Sequence, residues 1–386
     1  MTNPLPYARQ DISEDDIAAV AAVLRSDWIT QGPAIERFEK SVADISGARF
    51  AVTTSSATAA LHIGVLALGL SPGKRLWTTP NSFVASSNCA LYCGADVDFV
   101  DIDPVDGNMS TGELERKLAE AEQEDKLPDI VVPVYFAGQP CNMETIHGLS
   151  DRYGFKVIED ASHAIGGRYQ NTPVGNGRSD LTVFSFHPVK IVTTGEGGML
   201  TTNSEALYKA LLRLRSHGIT KDTDEMPEPV GPWSYAQIEL GFNYRITDIQ
   251  AALGASQISR LTAYVERRNF LSQRYDEFLS GLPLTPLKRH SDRLSACHLY
   301  VVRFADADVR QRIYEGLRQV DIFSQVHYIP IHLQPHYRKL GFAPGDFPES
   351  EAHYREALSL PLFPTMTEAD QDRVVERLTD LLAETA

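Results

Sequence analysis

Apolar residues Ile17, Val20, Ala21 and Leu24 follow the capping sequence Ser13-Glu14-Asp15-Asp16 at helical spacing, so the pattern predicts an amphipathic helix there. Asp27-Trp28-Ile29-Thr30-Gln31-Gly32-Pro33 interrupts it, and Ile35, Phe38, Val42 and Ile45 carry a second helix as far as Gly47. From Phe50 onward the period changes. Apolar runs of strand length at 50–53, 75–79, 96–100, 130–134, 155–159, 181–186 and 199–202 are mostly separated by helical segments. The first of those segments is an Ala- and Leu-rich stretch that ends at Leu68 before Gly69. Strand and helix repeated in this order predict an α/β architecture, a mostly parallel sheet flanked by helices.

The alternation stops near Ser216. The stretch 220–232 carries Pro227, Pro229 and Pro232 among charges and reads as a surface loop. Thr247-Asp248 then caps a long helical region through Leu253, Ile258, Leu261, Val265, Phe270 and Tyr275 to Leu279, closed by Gly281 and Pro283. The remainder reads as strand 299–304, helix 309–320, strand 323–328, a loop rich in His and Pro, and a terminal helix at 367–382. These elements divide the chain into a large domain at 1–248 that includes the N-terminal segment, a connecting helix at 249–284, and a smaller C-terminal α+β domain at 285–386. The length of 386 residues supports the division, since a single core stops growing at about 250–300 residues.

Composition narrows the possible classes. With 43% hydrophobic and 23% charged residues the chain is an ordinary globular protein, which excludes disordered and fibrous classes. Its 51 acidic against 36 basic side chains, a formal net charge of −15, oppose nonspecific binding to nucleic acid or an anionic membrane. Cys89, Cys93, Cys141 and Cys297 are scattered, and no second pair completes a zinc site with Cys89 and Cys93. Met1-Thr2-Asn3-Pro4 opens without the basic and apolar regions of a targeting segment, and the expectation is a soluble, cytoplasmic protein that holds no metal.

Candidate chemistry centres on two residues. Asp160 follows the apolar strand Phe155-Lys156-Val157-Ile158-Glu159, at the edge where open α/β sheets place their ligands. Lys190 follows in Ser185-Phe186-His187-Pro188-Val189-Lys190, ahead of Gly195-Glu196-Gly197-Gly198. A lysine to condense with an aldehyde and an acid to keep a pyridine nitrogen protonated are what pyridoxal phosphate needs to act as an electron sink. Taken singly, a solvated lysine or a turn-forming Asp explains either residue, so the pairing carries the argument.

Other residues join it by position. Ser55-Ser56-Ala57-Thr58, at a strand-to-helix junction, offers hydroxyls and free backbone N–H groups to a phosphate, and Ser185 could add another hydroxyl. Phe83 could stack on the pyridine ring, and His163 could meet the cofactor's 3-oxygen side or merely satisfy a helix start. Gly195 to Gly198 reads as a tight turn with no catalytic role. Asn243 and Arg245, in Gly241-Phe242-Asn243-Tyr244-Arg245, could reach a partner subunit's phosphate or make an internal turn contact. His327, His332 and His336 lack a framing carboxylate or cysteine, and they read as lining a polar substrate pocket with Tyr328 rather than holding a metal.

With Lys190, Asp160, the Ser/Thr junction and Phe83 in this order, the chain resembles the fold-type I, pyridoxal-phosphate-dependent sugar aminotransferases of the DegT/DnrJ/EryC family over nearly its whole length. Gln31-Gly32, Ser56-Ala57-Thr58, Glu159-Asp160-Ala161-Ser162-His163-Ala164, Ser185 to Lys190 and Gly241 to Arg245 carry the likeness. A finer resemblance rests on Thr193 to Gly198, Glu239 to Asp248, and Val326-His327-Tyr328-Ile329-Pro330 running into His332-Leu333-Gln334-Pro335. It is to the branch that aminates C4 of a UDP-linked 4-keto-6-deoxy-N-acetylhexosamine of the L-series in pseudaminic acid biosynthesis. The aminotransferases of UDP-4-amino-4-deoxy-arabinose share many of these features.

The resemblance implies roles residue by residue. Lys190 would bond the cofactor and shuttle protons, Asp160 would pair with the pyridine nitrogen, and Phe83 would stack on the ring where the family often has Trp. Thr58, Ser185 and the backbone at Ala57 would hold the phosphate. Asn243 would reach the active site of a neighbouring subunit, which implies a homodimer with shared sites. Tyr7, Asp27, Trp28, Ile29, Thr30, His327, Tyr328, Ile329 and Pro330 would contact the nucleotide-sugar, although Asp27-Trp28 departs from the polar residues usual there. L-Glutamate would be the amino donor, and the cofactor linkage or a nearby cationic field would lower the lysine's pKa. A sugar dehydratase on the same scaffold would typically carry His in place of Lys190, and an inert regulatory binder would not need both Lys190 and Asp160.

Overall fold

The computed structural model describes residues 4–226 and 231–384. Pro227 and Pro229 of the expected loop lie outside the described residues. Just beside it, Ile219–Thr220 and Ala236–Gln237 pair as a short antiparallel ladder.

The large domain is built on a seven-stranded sheet. In chain order its strands are β1 (Phe50–Thr54), β2 (Arg75–Thr78), β3 (Asp96–Phe99), β4 (Ile130–Val132), β5 (Lys156–Asp160), β6 (Leu181–Ser185) and β7 (Gly198–Thr202), and across the sheet they run β1-β7-β6-β5-β4-β2-β3. β7 is antiparallel to both β1 and β6, while β6, β5, β4, β2 and β3 pair in parallel, so six strands share one direction. Successive residues explain the unbroken apolar runs. Val157 and Phe184 enter one core with Phe38 and Trp77, while Ile158 and Val183 enter another with Leu61 and Leu76. A sheet covered on both faces needs apolar side chains on both.

The direction shared by six strands also places the site. The ends of β1, β2, β5 and β6 deliver Ser56, Phe83, Asp160 and Lys190 to a single edge, where crossovers in an open α/β sheet leave a crevice.

A second core forms the small domain. Its sheet, β8 (Leu284–Pro286), β9 (Tyr300–Phe304) and β10 (Ala357–Leu360), is antiparallel and packs with helices Ala307–Arg318 and Glu368–Ala383. The first residues of the N-terminal segment pack here, while its helices, through Val23, Ala34 and Phe38, join the large-domain core. Leu5 is buried in the second core, and its backbone bonds Asp321 and Phe323 at 2.8 Å each.

Two expected elements differ. The helical region after Thr247 is two helices, Asp248–Ile258 and Leu261–Phe278, with Ser259 and Arg260 between them. Arg260 is held there by Asp16 at 2.6 Å and Tyr264 at 2.8 Å. The break lets the first helix pack on the N-terminal helices while Leu271 and Tyr275 of the second enter the small-domain core. The segment 323–328 is not a strand, because only Gln325 bridges to Ser359 of β10, while Gln325 to Tyr328 line the cleft. Among the described residues no helix is long and apolar enough to cross a membrane.

One carboxylate ties the N-terminal region to this frame. Asp248, 1% exposed, accepts hydrogen bonds from the backbone N–H groups of Gly32 at 2.6 Å and Ala34 at 2.8 Å, capping helix Pro33–Ser46 from another helix's first turn. Asp248→Ala should therefore cost about 3 kcal/mol, since two charge-assisted bonds are lost and two buried donors are orphaned. The check is the urea midpoint at unchanged m-value; a shift under about 0.5 kcal/mol would refute the role.

Candidate active site

Lys190 sits on a closed loop. Phe186 donates its N–H to Gly197 at 2.9 Å and accepts from Thr194 at 3.0 Å, and inside this loop the Lys190 N–H meets the His187 carbonyl at 2.9 Å. The side chain enters a cleft of about 600 Å³ between the two domains, lined from the large domain by Ala57, Thr58, Phe83, Asp160, His163 and Ser185. Tyr7, Gln325, Val326, His327 and Tyr328 close it from the small-domain side.

Asp160 is 4% exposed and each of its carboxylate oxygens accepts hydrogen bonds. Oδ1 accepts from the Ser162 hydroxyl at 2.6 Å and its N–H at 3.1 Å, and Oδ2 accepts from the Ser86 hydroxyl at 2.6 Å, which in turn meets Ser82 at 2.8 Å. These donors satisfy the buried carboxylate and hold it in one orientation.

The phosphate candidates divide. Ser56 also lines the cleft, but its hydroxyl accepts the Ala59 N–H at 3.1 Å as the N-cap of Ala57–Ala67. Thr58, the backbone at Ala57 and Ser185 face the cleft. Gly198, which pairs with Ser185, does more than make a turn. A Cβ there would lie 2.5 Å from the Ala57 nitrogen and the Ser56 carbonyl, so only glycine lets β7 bring Ser185 against the helix N-terminus.

Titration follows from burial. Burial pushes the Lys190 ammonium from 10.5 down to about 8, with the Asp160 charge opposing. The expected cationic field is therefore not the cause; loss of water is. Burial likewise pushes His163 and His298 well below the usual range and His327 to about 3, the Lys190 charge adding to each, so these imidazoles are neutral at pH 7. The His163 Nε2 lies 3.2 Å from the Tyr328 hydroxyl, and His327 Nδ1 lies 2.8 Å from the Ser359 hydroxyl.

The remaining sequence candidates fall elsewhere in the chain. Trp28 and Ile29 are 57% and 52% exposed, Thr30 bridges to Thr247, and Asp27 is absent from the cleft lining. Asn243 bridges to Ser216, next to Tyr244, whose carbonyl accepts the Ser55 N–H at 2.7 Å. Ile329 is exposed and Pro330 is buried outside the cleft lining. His332 turns away to pair with Glu351 at 3.0 Å and His336 is exposed, so of the three histidines only His327 lines the cleft. Sequence reasoning missed Ser82, Ser86, Gln325 and His298. Ser162 was readable from its position two residues after Asp160, as an Asx-type turn, whereas the others come from distant segments.

A mostly parallel sheet with a small antiparallel domain over its carboxyl edge defines a fold-type I transferase, the class that works with pyridoxal phosphate. Residues 10–379 match the DegT/DnrJ/EryC1/StrS aminotransferase family, and the chain belongs to it. The spore coat polysaccharide biosynthesis protein SpsC of Bacillus subtilis is 35% identical over 385 residues, 98% of this chain and 97% of SpsC. Helicobacter pylori PseC, an aminotransferase involved in the biosynthesis of pseudoaminic acid, is similar with a TM-score of 0.90 at 29% identity, covering 99% of this chain and 100% of PseC. Spr1654 of Streptococcus pneumoniae, described as a sugar aminotransferase and solved in a PLP form, gives a TM-score of 0.90 at 28% identity over 100% of both chains.

The residues present fit that cofactor. An amine, a fixed carboxylate and a helix N-terminus share one cleft, and beside them the buried His163 Nδ1 has no hydrogen-bond partner among the described residues. In the cofactor-free protein, labelling of Lys190 by an amine-acylating reagent should rise as pH passes through about 8, because a lowered pKa yields neutral amine above that point. Site-resolved mass spectrometry reads it; labelling that rises only with exposed lysines, near pH of about 10.4, would contradict the burial argument.

Proposed function

We propose that the protein transfers the amino group of L-glutamate to the C4 ketone of a nucleotide-linked 4-keto sugar. The observation that carries this reading is the meeting of Lys190 and Asp160 in one cleft with the N-terminus of helix Ala57–Ala67. Pyridoxal phosphate, when bound, supplies an aldehyde and an electron-accepting ring.

This chain's residues do the rest. The Ala57 backbone, Thr58 and Ser185 hold the phosphate, with the helix N-terminus contributing positive potential. Asp160 holds a proton at the ring nitrogen, Phe83 covers one face of the ring and His163 meets its oxygen side. Lys190, neutral in an appreciable fraction at physiological pH, takes the α-proton of the donor and delivers it; in the second half it runs the same transfer toward C4 of the sugar. One base serving two half-reactions predicts ping-pong kinetics.

Tyr7 and the segment His327 to Pro330 contact the nucleotide-sugar. Asn243 and the turn Asp27 to Thr30, on a surface with exposed Trp28, Ile29, Tyr235 and Leu240, serve the site of a second copy, which makes the working unit a homodimer. Four free cysteines suit a reducing cytoplasm. The UDP-linked 4-keto-6-deoxy-N-acetylhexosamine of pseudaminic acid biosynthesis is one substrate, supported by the motifs around Glu196, Asn243 and His327. A different nucleotide-linked 4-keto sugar, of the UDP-4-keto-arabinose or dTDP-4-keto-6-deoxyglucose type, has broader support, because a sugar aminotransferase other than PseC, Spr1654, matches this chain at the same TM-score of 0.90 and nearly the same identity.

Lys190→Ala should abolish turnover, lowering kcat by more than about 1,000-fold, and should abolish borohydride trapping of the cofactor. Incubation with glutamate and a panel of UDP- and dTDP-4-keto sugars, read by mass spectrometry, identifies the acceptor. Turnover at the normal rate by the variant would sink the assignment, and amination of dTDP-sugars alone would eliminate the UDP readings.

A further inference from the structure

His298 stands behind Lys190 without a role in the chemistry above. It is 2% exposed, lines the cleft, and lies 4.4 Å from the His163 ring at an interplanar angle of 43°. Its Nδ1 has no hydrogen-bond partner among the described residues, nor has that of His163. Two orphaned buried nitrogens side by side are costly, and such costs gather at functional sites.

The backbone around the pair is constrained to keep it so. Gly138, at φ +101°, is wedged between the two segments: a Cβ there would sit 2.8 Å from the His163 carbonyl and 2.9 Å from the His298 nitrogen. Cys297 takes a left-handed φ of 47°, and the fully buried Arg268 donates through Nη1 to the carbonyls of His298 at 3.2 Å and Leu362 at 2.9 Å. Arg268 thus has backbone dipoles where a carboxylate would be usual. Glycine spacer, left-handed turn and buried guanidinium together fix where the His298 ring lies relative to His163, and hence how the His163 Nε2 meets the Tyr328 hydroxyl.

We propose that His298 is a positioning residue for the amino-transfer step: its ring fixes His163 against Tyr328, so that two domains present one wall of rings to Lys190. It acts through ring packing, as its unpartnered Nδ1 indicates, and not by carrying a proton. The titratable groups facing this wall are Lys190, Asp160 and His327, all lining the same cleft. The inference rests on the aminotransferase reading, and wild-type turnover tests that reading separately.

The experiment is a double-mutant cycle in the holoenzyme with His298→Ala, Tyr328→Phe and the double variant. His298→Ala should lower kcat by about tenfold with donor KM within about twofold, and the double variant should be no worse than the poorer single one, since both act through His163. His298→Gln, a planar group of similar size that cannot titrate, should recover most of the loss. In the cofactor-free protein, nitrogen-15 spectra should give His163 a single tautomer that becomes a mixture in His298→Ala. Multiplicative losses in the double variant, a wild-type kcat in His298→Ala, or an unchanged His163 tautomer in that variant would each overturn the proposal. If His298→Ala does not fold, the same cycle and spectra are read with His298→Leu, an apolar side chain of similar size without the planar ring, and multiplicative losses there overturn it equally.

Discussion

The structure turns on taking water away from Lys190. An ammonium in solution stays charged at neutral pH and cannot act as a base; burial between the two domains brings this one to about 8 while Asp160 pulls the other way. The surrounding groups then meet conditions set by that desolvation. His163, His298 and His327 must be neutral, because a further positive charge in the same cleft would have no solvent to screen it. Ser86 and Ser162 supply the donors that make the buried Asp160 carboxylate tolerable.

Such a cleft needs two bodies held in register. The large domain contributes the rigid edge of six codirectional strands, on which Asp160 and the Ser56–Ala57 turn have little freedom to move. The small domain contributes the far wall, and its N-terminal strap places Tyr7 there: the Tyr7 carbonyl accepts the Leu362 N–H at 3.0 Å while Leu5 is stitched beside Ile322. Tyr7 and His327, separated by most of the chain, therefore share one body, with rings 5.4 Å apart. Arg268 anchors the helix that joins the domains by donating to backbone carbonyls next to the cleft, so the joint and the site use the same buried group.

The exposed aromatic and apolar side chains have a common logic. Trp28, Ile29, Tyr235 and Leu240 do not line the cleft of their own protomer, yet they flank the segments that carry Thr30 and Asn243. A surface of that kind costs solvation unless something covers it, and a second copy of the chain is the proposed cover. On that reading the missing polar contacts of one cleft come from the partner's equivalent turn.

Much was legible along the chain because strand and helix periods are local. Apolar runs of strand length, broken by caps and glycines, specify a sheet covered on both faces, and Asp160 and Lys190 are legible because each ends or follows such a run. The phosphate junction is legible for the same reason, although one of its hydroxyls, on Ser56, caps the helix. What only the tertiary structure decided involves partners far apart in sequence: that Arg260, held by Asp16, divides a helix read as continuous, that 323–328 lines a cleft instead of extending a sheet, that His332 pairs with Glu351, and that Gly138 sets the spacing of His163 and His298. Periodicity reports which face of an element is buried; it carries no information about which distant group will be waiting there, and burial by such groups is what set the protonation state of Lys190.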